Sequence, residues 1–497
     1  MAESSSMDPR LPVLVGVGQI SNRVDRGAGV LEPVDLMAEA LRRAEADTGT
    51  SGVLAAAESV RVICLLSWRY ADPGTLVAGR VGASPSETVY TVMGGNYAQT
   101  VVNDTARAIQ RGELDLALLT GAEAWRSRSD SRSAGGRPDW TAQPEGVHPT
   151  VLMGTGDNLS SPGEIARGIF LPVQVYPMLD VALRAAAGLS IDEHRRQISE
   201  LWSRFSEVAA SNPHAWIQQA FTPEQIAEPS PENRMIGFPY TKRMNSNNMV
   251  EQGAGLILCS VAKATSLGIP PERWVFIHAG ADAHDRWFVS NRSDLCSSPA
   301  IRVAGRELLA AAGVGMGDIA HIDLYSCFPS AVQIAAAELG LGLDRQLTVT
   351  GGMSFAGGPW NNYPMHAIAT MAGVLREDPG SFGLCTGNGG FTTKHSLGLY
   401  STRPPSQPFT WSEPQAEVDR LPSREAADDY QGGVRIEAYT VMFGREGEPE
   451  QALAAVLTPE GARTWGRTTD TRAMEAMTRD EHVGRSAKLA ADGDLTL

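Results

Sequence analysis

No stretch of this chain approaches the roughly 18 consecutive apolar residues that a helix needs to cross a bilayer, which excludes a helical membrane span. Positive charge is in deficit, with 42 Lys and Arg against 57 Asp and Glu and a net charge of −15. There is therefore no basic footprint for nucleic acid, and an anionic ligand would have to be held by a few placed cations and local dipoles. Cysteine is scarce. The five residues Cys64, Cys259, Cys296, Cys327 and Cys385 are odd in number and lack metal-ligand spacing, which argues against a complete disulfide framework and a cysteine metal site, and predicts a reducing cytoplasm. The first ten residues hold no apolar core of a secretory leader.

What the chain does have is a repeat. Around Gly94-Gly95 a small-residue helical run begins, closes near Arg111-Gly112, and leads into the apolar strand 114–121. Around Gly351-Gly352 a second run begins, closes near residues 375–378, and leads into 380–387, which contains Cys385-Thr386-Gly387. Each copy is preceded by a helix and a strand: 36–46 and 60–66 in the first, 304–312 (closed by Gly313) and 321–324 in the second. Strands apolar on both faces belong inside a sheet, and duplicated βαβα units imply two α/β half-domains with a site where they meet.

The rest of the chain falls around this repeat. Gly16-Val17-Gly18 follows a strand but lacks the third glycine of a dinucleotide loop. Residues 126–137, polar and without periodicity, predict an exposed loop. Residues 126–245 interrupt the repeat with helical patterns at 176–187 and 191–211, and are placed to cover the site as a lid. The second half is read as starting near residue 246, with a turn feeding the strand 253–260. The proline-rich segment 403–408 ends the repeat. Beyond it, alternation at 434–443, a turn at 444–449 and a strand at 452–457 predict an antiparallel β-barrel of OB-like kind, with 487–497 partly disordered. The domains are thus 1–125, 126–245, 246–402 and 403–497.

The stretch 240–247, Gln252-Gly253-Ala254-Gly255, the segment from Gly313 to Cys327-Phe328, Gly351-Gly352 and Cys385-Thr386-Gly387 occur in order. Together they resemble the thiolase superfamily, and its sterol-carrier-protein-2-type, lipid-transfer-protein-like branch in particular. The resemblance spans about residues 10–400. It implies a thiolase fold of five αβαβα layers, acyl-CoA or CoA as substrate or ligand, acyltransferase chemistry in lipid metabolism, and no bound metal. It also implies a homodimer through the first-half sheet, or a monomer where the tail covers that edge.

In that family a cysteine at the start of the buried first-half helix attacks the thioester, a histidine in Gly-His-Pro activates it, and a Cys-x-Gly cysteine moves the α-proton. Here the first position falls at Gly95, followed by Asn96; the histidine position is Gly358 in Gly357-Gly358-Pro359; and a His-Asp-Cys-Phe motif reads Tyr325-Ser326-Cys327-Phe328. Only Cys385-Thr386-Gly387 is intact. Without nucleophile and base, an acyl-enzyme route is improbable. Cys385, Tyr325 and Ser326 are the remaining catalytic candidates. Tyr325 would act as a hydrogen-bond donor, as a base if its pKa were lowered, or simply as an aromatic that fills space. Asn96, Lys242, Arg243, Asn247, Asn248, Gly352 and Gly387 are the candidates for holding CoA. Lys394 and His395, in a loop, could face an anionic CoA group. His366 is read as a helix-surface residue; Ser354, Asn361 and Asn362 carry weaker signals. An alternative chemistry, retro-aldol cleavage of a β-hydroxyacyl-CoA of sterol side-chain type, needs no covalent nucleophile and would use Tyr325 and Cys385. A third reading is a non-catalytic thioester carrier or scaffold.

Overall fold

The duplication is one of hydrogen-bonding pattern as well as of residues. The computed structural model describes residues 7–23, 29–156 and 158–497, so most of the stretch read for a leader lies outside the described residues. The first unit runs β1 (Pro12–Ser21), α1 (Pro33–Thr48), β2 (Ser59–Val62), α2 (Pro73–Val81), β3 (Glu87–Thr91), α3 (Tyr97–Arg111) and β4 (Leu116–Ala124). The inserted segment holds α4 (Trp125–Ser133), β5 (Val151–Met153), α5 (Pro162–Ala166), α6 (Pro172–Ala186), α7 (Ile191–Ser211), α8 (Pro223–Ala227), β6 (Met235–Gly237) and β7 (Tyr240–Thr241). There follow β8 (Glu251–Ser260), α9 (Val261–Ser266), β9 (Val275–His284), α10 (Pro299–Ala312), β10 (Ile319–Asp323), α11 (Pro329–Glu338), α12 (Gly352–Phe355), α13 (Tyr363–Glu377), β11 (Phe382–Gly389) and β12 (Lys394–Ser401). The tail is β13 (Thr410–Ser412), α14 (Gln415–Val418), β14 (Gly432–Phe443), β15 (Pro449–Leu457), β16 (Arg463–Thr468), α15 (Thr471–Arg479), β17 (Ser486–Leu489) and β18 (Leu495–Thr496).

The first half orders its strands β1-β8-β4-β2-β3, and the second β9-β12-β11-β10. From the inside outward, both are antiparallel, antiparallel, then parallel. The halves touch edge to edge through two residue pairs only, Val13 with Phe276 and Leu14 with Val275. The segment read as opening the second half is β8, and it instead completes the first sheet. Its ten residues are all buried, as a strand between two neighbours and two helical layers requires. Helix α3 packs against β11 and β12 of the other half, and α13 against β1 and β8, so each central helix is shared between the sheets.

The second half lacks a counterpart to β3, and one carboxylate accounts for it. Asp323, fully buried, accepts hydrogen bonds from the amides of Val349 (3.0 Å) and Thr350 (3.2 Å), from the hydroxyls of Thr348 (2.9 Å) and Thr350 (3.0 Å), and from Tyr363 Oη (2.9 Å). The amides that would form a ladder are taken by a side chain instead.

Several local expectations are corrected. Residues 126–137 are not a loop over most of their length: Trp125–Ser133 is helix α4. Its anchors lie elsewhere in sequence, where periodicity cannot show them. Ser127 N–H donates to Glu251 (3.1 Å), Arg128 to the Leu66 carbonyl (2.6 Å), and Trp125 meets Trp360 edge-on at 5.7 Å. Gly351-Gly352 opens only the four-residue α12, and the long second-half helix begins at Tyr363. Lys394 and His395 are not in a loop; they start β12, paired with His284 and Ala283 of β9. The last residues form β17 and β18 rather than a disordered end, with Leu489 and Leu495 buried.

The tail is an antiparallel β domain with the order β16-β15-β14-β17-β18, joined to the inserted segment where Met442 pairs with Gly237. Arg184 of α6 makes a two-pronged ion pair with Glu481 (2.5 and 3.1 Å). Arg463 bonds the carbonyls of Val289 (2.8 Å) and Arg292 (2.6 Å) in the second half. The tail is thus bound to both the insertion and the body.

Candidate functional site

The turn into α3 presents Gly94, Gly95 and Asn96 toward the end of β11. A Cβ built on Gly95 would collide with the Tyr325 hydroxyl and stand 2.5 Å from the Asn388 carbonyl oxygen and 2.8 Å from Tyr325 Cζ. The phenol therefore occupies the volume in which the resemblance would place a cysteine side chain. Gly387 has the same close-approach role from the other side, since a Cβ there would lie 3.0 Å from Asn96 Cα. The structure so brings together Gly95, Asn96, Tyr325 and Gly387 out of the sequence-derived set.

Tyr325 is held by its backbone N–H donating to Thr386 Oγ1 (2.8 Å) and by an edge-on contact with Tyr363 at 5.7 Å. Burial, then the neighbouring Cys327, Tyr176 and Tyr363, push its pKa well up. The phenol stays protonated and can donate but not act as a base, so the option of a lowered pKa is not met. Cys385 lies on β11 opposite Asp323 on β10 and is fully buried. Burial first, and the Asp323 carboxylate second, push its thiol well up, away from the thiolate that nucleophilic or proton-transfer chemistry requires. Ser326 accepts from the Met353 amide (3.2 Å) and donates to Tyr363 Oη (3.4 Å), which ties α12 to this floor.

The second glycine is filled in the same manner. A Cβ on Gly358 would collide with Ser246 Oγ and stand 2.8 Å from Asn248 Oδ1. Ser246 itself donates to Asn248 Oδ1 (3.0 Å), the Gly358 amide donates to the Asn247 carbonyl (2.9 Å), and the Asn247 amide to the Met353 carbonyl (3.0 Å). Asn247 and Asn248 thus hold the Gly357-Gly358 turn. Gly357 has φ +108° and Gly352 φ +76°, conformations that disfavour any side chain.

The other candidates are spread around this centre. Lys242 is exposed, and Arg243 donates to the Gln225 carbonyl (2.7 Å) with its guanidinium 4.5 Å from the Phe221 ring centre. Lys394 Nζ donates to the Met93 carbonyl (2.8 Å) at the α3 turn and lies 4.9 Å from the Tyr97 ring centre. His395 pairs with Asp285 at 3.3 Å inside the protein. His366, read as a surface residue, is buried on α13; its Nδ1 meets Gln19 Oε1 at 2.8 Å, and burial pushes its pKa down to about 3. Ser354 accepts from Trp202 Nε1 (3.0 Å). Asn361 bridges the Gly94 amide (3.1 Å) and the Cys64 carbonyl (2.9 Å), and Asn362 donates to the Gly121 carbonyl (2.6 Å), so both tie the start of α13 to the first half, Asn361 at the α3 turn and Asn362 at β4.

Two organising residues escaped the sequence reading. Tyr176 of α6 accepts from Asn388 Nδ2 and the Thr392 amide (3.0 Å each) and donates to the Gly390 carbonyl (3.0 Å), fixing the loop after Cys385. Thr392 there holds φ +57°, a strained conformation for a β-branched residue. Tyr176 has no local signal, because it lies in the inserted segment and all three partners are in the second half. Ser246 had a weak one: it lies inside the stretch 240–247 that carries the resemblance, without being singled out there.

What is left between these groups is a cavity of about 10 Å³ lined by Tyr325, Thr386, Gly387, Asn388, Thr392 and His395, about the space of one water. Of its lining atoms, Asn388 Oδ1 and Thr392 Oγ1 are buried without hydrogen-bond partners, as is Asn96 Oδ1 at the α3 turn. Among the described residues no group of three or more His, Cys, Asp or Glu is arranged to hold a metal ion.

Against known structures, the chain superposes on a monomeric SCP2-thiolase-like protein type 1 from Mycobacterium smegmatis with a TM-score of 0.84 at 31% identity, covering 99% of this chain and 100% of that one. The chain belongs to the SCP2-thiolase-like protein type 1 family. In keeping with it, residues 413–494 match the family model described as the thiolase-like protein type 1 additional C-terminal domain. An Ltp2-ChsH2(DUF35) aldolase aligns at 20% identity and TM-score 0.60 over 80% of this chain and 99% of that one. An acetyl-CoA acetyltransferase from Syntrophomonas wolfei aligns at 16% and 0.55, over 79% of this chain and 99% of that one. These two more distant likenesses show the shared thiolase fold. No curated protein matches the sequence. No helix among the described residues is long and apolar enough to cross a membrane.

Proposed function

We propose that this SCP2-thiolase-like protein type 1 binds CoA thioesters without carrying out thiolysis or Claisen condensation. The observation that carries the reading is the filled nucleophile position: the Tyr325 hydroxyl and the Asn388 carbonyl stand where a side chain on residue 95 would have to be. An acyl-enzyme route needs a nucleophile and a base within hydrogen-bond reach, and the two glycines, each closed over by a neighbour, supply neither. The retro-aldol alternative gains no support from the site, since burial holds both Tyr325 and Cys385 protonated and the cavity at Tyr325 is the size of one water. The test is acyl transfer from acetoacetyl-CoA to the protein and on to CoA, with neither step expected to exceed the background without protein.

The same reading covers the assembly and the tail. Edge strand β3 is paired in parallel by β5 of the inserted segment, Val89 with Val151 through Thr91 with Met153. The edge through which the resemblance implies dimerisation is therefore taken up by the insertion, not by the tail, and the relative from Mycobacterium smegmatis is described as monomeric. We read this chain as a monomer; light scattering at the mass of two chains would contradict that. The tail is read as a small OB-like barrel, supported by a parallel bridge between Arg467 and Asp494 that brings the two ends of its strand order together. A cytoplasmic setting belongs to the same reading, as does a division into a first half, an insertion at 126–245, a second half and a tail from 403, with β8 counted in the first half.

A further inference from the structure

We infer that CoA thioesters with a long acyl chain bind in the groove between the inserted helices and the C-terminal domain, away from the filled thiolase centre. This rests on the proposed binding of CoA thioesters. The groove encloses about 1150 Å³, against about 10 Å³ beside Tyr325. That exceeds an ordinary small-ligand pocket and suits a ligand with a nucleotide, a pantetheine arm and an acyl chain.

Its chemistry is divided in the way such a ligand is. Phe238 and Pro239 are buried in its floor, with Leu189, Met235 and Phe443 partly exposed beside them. Arg195, Arg479 and Arg485 stand on its walls and rim. Four carboxylates also line it, but two are already engaged: Glu481 by the two-pronged bond from Arg184, and Glu193 by the Ser190 amide (3.0 Å) and hydroxyl (2.7 Å). Asp192 and Asp480 remain. Arg195 donates to the Ala227 carbonyl (2.6 Å) and faces Glu228 at 3.8 Å, and Arg479 makes one 3.4 Å pair with Glu475. Arg485 is exposed and enters no ion pair among the described residues. Guanidinium groups with donors to spare are suited to phosphates, and the aromatic floor to the apolar arm. Phe238 and the neighbouring Met235 also lie in or beside the β6–β7 hairpin that runs directly into Lys242 and Arg243, so the groove adjoins the stretch that the resemblance offers for CoA.

The experiment is calorimetric titration of the full chain with palmitoyl-CoA, CoA and palmitate, for wild type, Phe443→Asp, Arg485→Glu and Lys242→Ala. Palmitoyl-CoA is expected to bind more tightly than either fragment, and the two groove substitutions to weaken it about tenfold or more. Both side chains are solvent-accessible, and melting curves check that the variants fold. Photo-crosslinking with a diazirine-bearing palmitoyl-CoA, expected to label residues 229–239 or 443–485, gives a second readout on the unmutated chain. Binding unaffected by the groove substitutions, or lost only in Lys242→Ala, would overturn this inference and leave the proposed function standing. Palmitate binding as tightly as its thioester would overturn it by removing the role of the phosphates. Absence of binding by all three ligands would overturn both.

Discussion

Gly95→Cys is expected to destabilise the protein without restoring turnover. The new Cβ must displace the Tyr325 ring, which is wedged by Tyr363, and also meets the Asn388 carbonyl, which belongs to the backbone of β11 and has little room to move. Overpacking of this kind costs about 1–3 kcal/mol, read as a lower denaturation midpoint in urea. Adding Tyr325→Ala to Gly95→Cys is expected to return part of that loss relative to the single Tyr325→Ala variant, because the clash with the ring disappears while that with the carbonyl stays. A Gly95→Cys chain as stable as wild type would mean that the slot is open and that the filled-centre account is wrong.

Arg463→Met is expected to have the largest effect of any single change in the tail. The guanidinium is fully buried, makes a two-pronged pair with Glu437 (2.6 and 2.7 Å), and bonds carbonyls of the 289–292 turn. Methionine keeps much of the volume but leaves the mostly buried Glu437 carboxylate and those carbonyls without their donor. Breaking such a pair from one side costs about 3–5 kcal/mol. The tail should then open before the body, giving an earlier phase in urea unfolding and faster proteolytic release of a C-terminal fragment. Adding Glu437→Leu should recover part of the loss, because the stranded charge goes with it. A single unfolding transition at the wild-type midpoint would show that the tail does not depend on this anchor.

Much of the architecture was legible in the sequence because it rests on period and punctuation. Apolar runs bounded by glycine located α3, β4, α10 and β11, and alternation located β14, with β15 following its turn. What was not legible depends on partners far along the chain. The missing strand near Thr348–Thr350 follows from where the Asp323 carboxylate points, helix α4 from anchors at Leu66 and Glu251, and the burial of His366 from its bond to Gln19. At the centre, the resemblance placed Gly95 and Gly358 where its members carry a cysteine and a histidine. It could not show that Tyr325 and Ser246 fill those volumes, a relation that exists only once both halves are packed together.

A filled thiolase centre carries no acyl group. The most direct test is incubation of the full chain with acetoacetyl-CoA and CoA, following acetyl-CoA release and the intact mass of the protein together. Release at the rate of the buffer control and a protein without an acetyl adduct are expected. Turnover at ordinary enzymatic rates, or an acetyl adduct on any residue of the 94–96 turn or on Cys385, would contradict a filled centre.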